Sequence, residues 1–168
     1  FRHDRIVELL KATPRHDLAT FRRVQTDVFS LRAKAVLPRM LEDLGEGAGL
    51  SDQARNALGV LRAWDFDARA DQAAPAIFFA TYRAAVQTAL RDELSADGVR
   101  FFLAQRYSTN AADRWFEELL HPVWDDTTTP GTETRFTVVR FALESAVATL
   151  TGLLGEDLAG WQWGKLHR

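Results

Sequence analysis

Apolar residues return every three or four positions along almost the whole chain, the spacing of a single buried helix face. Residues 4–12 carry Ile6, Leu9 and Leu10 on one side. The turn TPRHD follows, and Asp17 is placed to cap the next helix. Phe21, Val24, Val28, Leu31 and Ala35 then recur in three- and four-residue steps, which predicts one continuous buried stripe. Pro38 is expected to kink or stop that helix. GEGAG (45–49) reads as a loop, and Ser51 as the cap of a helix bearing Ala54, Leu58, Leu61 and Trp64. The acidic loop DFDARAD is expected to cap a long helix over 73–94 with Ile77, Phe78, Tyr82, Val86 and Leu90. Shorter helices are predicted over 99–105 and 111–120, and DDTTTPGTET (125–134) is the clearest loop. A last helix over about 135–154 carries Phe136, Val139, Leu143, Val147, Leu150 and Leu154, and Gly155 can end it.

The expected fold is therefore all-α, a multi-helix, bundle-like single domain over 1–168 with six or seven helices packed in layers. The expected core holds Phe21, Val28, Leu31, Leu61, Ile77, Phe78, Val86, Phe136, Leu143 and Leu150. An apolar content of 46% and a charged content of 26% exclude disorder. The net charge of -2 comes from 21 basic and 23 acidic residues, scattered without a run of one sign, so no nucleic-acid partner is expected. The absence of cysteine excludes disulfides and thiol chemistry. No apolar run approaches the roughly 20 residues of a bilayer span, and no membrane partner is expected.

Most candidate chemistry has a plainer reading. Asp65, Asp67 and Asp71 alternate as in a calcium loop, but Arg69, Ala70 and Ala76 stand where that loop needs a ligand, a glycine and a glutamate. His3, His16, His121 and His167 have no helical partner at metal-ligand spacing, so no metal and no cofactor is expected in the chain. Ser51 and Ser95 read as helix caps, Ser30 and Ser145 as mid-helix hydroxyls, and no serine, Ser108 included, lies in a nucleophile elbow. GEGAG lacks the spacing of a phosphate loop. Trp64, Trp115 and Trp124 sit at positions suited to core packing. Arg5, between Asp4 and Glu8, reads by itself as a helix-surface arginine.

Four stretches taken in order carry more: RHDRIVELL, VQTDVFSLRAKAVLP, LRAWDFDARADQAAPAIFFATY and WQWGKLH. Their order and spacing resemble the β-chain of the penicillin amidase family, N-terminal nucleophile hydrolases that include penicillin, cephalosporin and acyl-homoserine-lactone acylases. The resemblance implies a helical segment of a larger αββα enzyme that hydrolyses linear amides. It implies an N-terminal serine nucleophile with its own α-amino group as base, and an asparagine that stabilises the oxyanion. Neither falls within this chain, and the calcium ligands of some members fall outside it as well, so the chain by itself is expected to be inactive. The arginine of the family's D-R-[IV] motif matches Arg5 in Asp4-Arg5-Ile6, which implies an auxiliary catalytic role.

The implied partners are the α-chain, the rest of the β-chain and a small amide substrate, in a periplasmic or secreted enzyme. Trp161 and Trp163 would be interior residues of that enzyme, left exposed in this chain and prone to self-association. The alternative readings are a free-standing helical ligand-binding module and a non-catalytic scaffold homologue.

Overall fold

The structure, a computed structural model, describes residues 1–166, apart from the side chains of 106–109. Among the described residues it is helical, with no sheet. The order is α1 (Arg2–Lys11), α2 (Leu18–Thr26), α3 (Leu31–Leu44), α4 (Asp52–Arg62), α5 (Ala74–Ala89), α6 (Ala96–Ala104), α7 (Arg106–Trp115), α8 (Arg135–Leu154) and the short α9 (Trp163–Leu166). Side-chain caps set many of the starts. The Asp17 carboxylate accepts the Thr20 N–H at 2.7 Å. Ser51 and Ser95 accept from Ala54 and Gly98. Gly155 ends α8 at a φ of 90°, a region that favours glycine.

α5 and α8 form the centre and pack along each other, with α3 and α4 laid against them. Leu61, Ile77, Phe78, Val86, Leu143 and Leu150 are buried there as expected, joined by Leu37, Met40 and Trp124. Each such side chain stabilises the fold by about 1.5–3 kcal/mol through apolar burial. α8 corrects one expectation. By length and by its mean hydropathy of 1.4 it matches a bilayer span. Its inner face, with Val139, Ala142, Leu143, Ala146 and Leu150, is nevertheless part of the core.

The predicted continuous helix through residues 18–35 is two helices. Asp27 is extended, and the strand-like step to Ser30 is held by a distant loop. The Ser30 N–H donates to the Phe66 carbonyl at 2.8 Å, and Ala68 N–H to the Val28 carbonyl at 2.9 Å. Those bonds satisfy backbone groups that a helix would otherwise have paired. Ser30 thus caps α3 through Ala33 N–H instead of lying inside a helix. With the stripe broken, Phe21 is 50% and Val28 45% exposed, and Leu31 is half-buried. Phe136, expected in the core, is also exposed, with the Arg140 guanidinium 5.1 Å above its ring. Pro38 lies inside α3 on its exposed side and does not end it, because the carbonyl it leaves unpaired, that of Lys34, is in a solvent-facing turn.

The C-terminal segment differs most from expectation. Trp161 is fully buried, and its Nε1–H donates to the Gly155 carbonyl at 2.8 Å. Trp163 is half-buried and stacks on Phe79 with centroids 5.0 Å apart. The backbone N–H groups of Trp163 and Gly164 donate to the carbonyls of Gln72 and Ala70. A Cβ on Gly164 would stand 3.0 Å from the Ala70 Cβ and 3.1 Å from its carbonyl oxygen, so a larger residue would have to push this backbone contact apart. The expected exposed tryptophan end is therefore corrected: this chain buries Trp161 and half-buries Trp163 against itself.

Candidate functional site

Arg5 lies on the face of α1 that meets the break between α2 and α3. Its Nε–H reaches both Asp27 oxygens at 3.2 and 3.1 Å, and Nη2 reaches Oδ1 at 2.8 Å. Nη1 donates to Glu8 at 3.2 Å. Its guanidinium carbon is 4.5 Å from the centroid of the Phe29 ring, a cation–π distance. The Asp27 hydrogen bonds, ahead of those to Glu8, push the Arg5 pKa further above its already high value. Arg5 is thus a permanent cation, clamped from one side by a carboxylate and from another by a ring. Two of its five N–H groups have no partner among the described residues.

Arg5 lines a cleft of about 400 Å³ with Arg2, Arg32, Phe1, Phe29 and Phe79. Among the described residues no carboxylate lines this cleft. Arg2 is tied to the carbonyls of Asp27 and Val24, each at 3.2 Å. Arg32 is held by Asp113, whose Oδ1 also accepts the Tyr82 hydroxyl at 2.8 Å. Burial raises the Asp113 pKa against the lowering pull of Tyr82 and Arg32, and burial chiefly raises that of Tyr82. Arg2, Arg5 and Arg32 line this cleft, whereas Asp27 does not, and Asp113 lines the cleft beside it. A second cleft of about 810 Å³ adjoins it at Phe1 and Asn110, with Asp4, Arg114 and His121 in its wall.

The other candidates have structural partners. His3 is on the surface beside Asp4 at 3.3 Å. His16 packs near the Phe21 ring, and His121 accepts the Val123 N–H at the head of a 3₁₀ turn. His167 lies outside the described residues. Asp65 and Asp67 grip Arg69 at 2.7 and 2.8 Å, as a solvated loop would. The next helix, α5, has Ala73 at its N-cap and no side-chain cap, so the expected capping by this loop is corrected. In GEGAG, the carbonyls of Gly45 and Ala48 accept from Arg62 and Arg140. Among the described residues no three His, Asp or Glu side chains converge as a metal site would need. Sequence reasoning passed over Asp27, Phe29 and Asp113. The first two stood within VQTDVFS, where a helical reading hid their approach to Arg5.

The description of the family model that matches residues 1–168 is penicillin amidase. The chain belongs to the penicillin amidase family. Its relatives include the acyl-homoserine lactone acylase QuiP of Pseudomonas aeruginosa, 29% identical over 99% of this chain and 21% of that protein. The protein of the same name from Pseudomonas putida is 28% identical over 99% of the chain and 22% of that protein. That from Pseudomonas fluorescens Pf-5 is 31% identical over 68% of the chain and 15% of that protein. The chain therefore spans about a fifth of the length of the curated relatives it matches. The family membership and the all-helical fold are as expected from the resemblance.

Proposed function

We propose that this chain is the helical part of an acylase that hydrolyses linear amides, with N-acyl-homoserine lactones as the leading substrate class, and that it contributes Arg5 to the site. The observation that carries this reading is the match over the whole chain to a family whose relatives are named acyl-homoserine lactone acylases. In this reading the serine nucleophile belongs to the rest of the enzyme. Its Oγ adds to the amide carbonyl, the amine leaves with a proton, and water releases the acyl group as a carboxylic acid. The α-chain and the β-chain core are the partners, any calcium is bound outside this segment, and the enzyme works in the periplasm or outside the cell.

Arg5 supports the reading because it is charged at every working pH and lines a cleft in which, among the described residues, no carboxylate takes part. Such a group stabilises developing negative charge without giving up a proton. The test uses the full-length protein, with hydrolysis of an N-acyl-homoserine lactone and of a chromogenic phenylacetyl anilide as readouts. Arg5→Ala is expected to lower kcat/KM on the order of 100-fold or more. Arg5→Lys keeps the charge, loses the planar fork and should fall between. Absence of amide hydrolysis in the full-length protein rejects the acylase reading. Near-full activity of folded Arg5→Ala returns that residue to the helix surface.

A further inference from the structure

The break between α2 and α3 has no local cause in sequence periodicity, yet it is fastened on both sides. The Val28 carbonyl and the Ser30 N–H are bonded to Ala68 and Phe66. The loop carrying those residues is itself fixed by the Trp64 indole N–H, which donates to the Asp67 carbonyl at 2.8 Å. A continuous helix would set Asp27 and Phe29 about 200° apart around its axis, on opposing faces. In the extended step both instead reach the same guanidinium, the carboxylate in its plane at 2.8–3.2 Å and the ring 4.5 Å from its central carbon.

We infer that Asp27 and Phe29 are positioning residues for Arg5, and that the interruption of the helix exists to deliver them. The inference rests on the reading of Arg5 given above. Asp27 is 12% exposed in its side chain and Arg5 18%, so the pair is shielded enough for its geometry to be held. A fork of this kind fixes both the direction and the rotation of the guanidinium, which a single hydrogen bond does not. The two N–H groups left over are then aimed by the clamp. A misdirected donor loses most of its effect on a developing charge, since hydrogen-bond strength falls steeply with angle. Asp27 does not line the cleft. It acts on the cleft through the arginines it pairs with, chiefly Arg5 at 2.8 Å and more weakly Arg2 at 3.8 Å.

The test is a double-mutant cycle on kcat/KM in the full-length protein, with Arg5→Ala, Asp27→Asn and the pair, each checked for its melting temperature. Asp27→Asn keeps the shape and removes the ionic fork. It should lower kcat about 10-fold or more and change KM little, because positioning of a transition-state donor acts on turnover. The double variant should be no slower than Arg5→Ala alone. Asp27→Glu, which can still form a fork, should recover part of the loss. Phe29→Leu keeps an apolar filler without the ring quadrupole and supplies a second measurement if Asp27→Asn folds poorly; it should lower kcat by a smaller factor. A merely structural role predicts a lower melting temperature with kcat intact below it, or losses that multiply in the double variant. Either result overturns the inference. So does an unchanged kcat in both Asp27→Asn and Phe29→Leu while Arg5→Ala is impaired. An unimpaired Arg5→Ala would instead reject the role of Arg5 itself.

Discussion

Asp43 and Arg135 form the most deeply buried ion pair, at 5% exposure each, with Arg135 Nε–H donating to Asp43 Oδ2 at 2.6 Å. Nη1 of Arg135 also reaches the Phe116 carbonyl, so one guanidinium joins α3, the start of α8 and the end of α7. Burial raises the Asp43 pKa and outweighs the pull of Arg135, as it does when desolvation exceeds the pairing. The pair therefore matters less for its own stabilisation than for what either member becomes when alone. Asp43→Ala, which leaves the arginine buried and uncompensated, is expected to destabilise by about 3–5 kcal/mol. Replacing both by apolar residues of similar volume should recover most of that loss. Urea unfolding of the single and double variants checks this, and a single variant within about 1 kcal/mol of wild type would contradict it.

Helix limits were legible where they are local and illegible where they are not. The span 135–154 and the caps Asp17, Ser51, Ser95 and Gly155 follow from residues within one turn of each helix end. The break at 27–30 follows from loop 66–68, some 40 residues on, and no periodicity encodes such a partner. That is also why Arg5 was reached only through resemblance, while Asp27 and Phe29, which hold it, were not reached at all. The loop 125–134 shows the same contrast. Its Thr, Pro and Gly content predicts a loop, but not the carboxylate network that fixes it. Asp126 accepts from the Thr128 hydroxyl and N–H and from Arg91, and Glu133 accepts from the Thr129 hydroxyl and the Asp126 N–H. The threonine hydroxyls, followed by the backbone bonds, lower both pKa values. A carboxylate whose folded pKa lies below its unfolded one stabilises the fold above the unfolded value, about 4, and ceases to do so as pH falls through the folded value. The amides of Asp126 and Thr128 should therefore keep constant protection from pH ~7 to ~5 and begin to lose it below about 4, the loss completing only at the lower folded values. Hydrogen exchange corrected for intrinsic rates measures this, and a loss of protection that sets in above pH ~5 would refute it.

The molecule as a whole is a helical core with an open cleft lined by Arg2, Arg5 and Arg32. Its core runs from α3 to the buried Trp161; α9 folds back onto it through Gln72 and Ala70, while α1 is tied by Arg2 and Arg5 to the end of α2. Its serines are differently engaged. The hydroxyls of Ser30, Ser51 and Ser95 accept helix-start N–H groups, and Ser51 also donates to Glu144, a clamp that ties α4 to α8. No serine among these stands beside a basic nitrogen with donors placed for an oxyanion. On the function proposed above, the chain would offer catalysis a cationic and aromatic wall, and such a wall positions and stabilises without forming the covalent intermediate. Folding and turnover should therefore separate. The isolated 168-residue chain is expected to show a helical circular-dichroism spectrum and a cooperative thermal transition, because its burial is internal and does not wait for a partner. The same preparation should release no aniline from a phenylacetyl anilide, since positioning groups alone leave the nucleophilic step at its uncatalysed rate. A β-dominated spectrum would contradict the fold. Turnover that co-purifies with the chain and is lost in Arg5→Ala would contradict the division of labour, since the nucleophile would then have to lie within these helices.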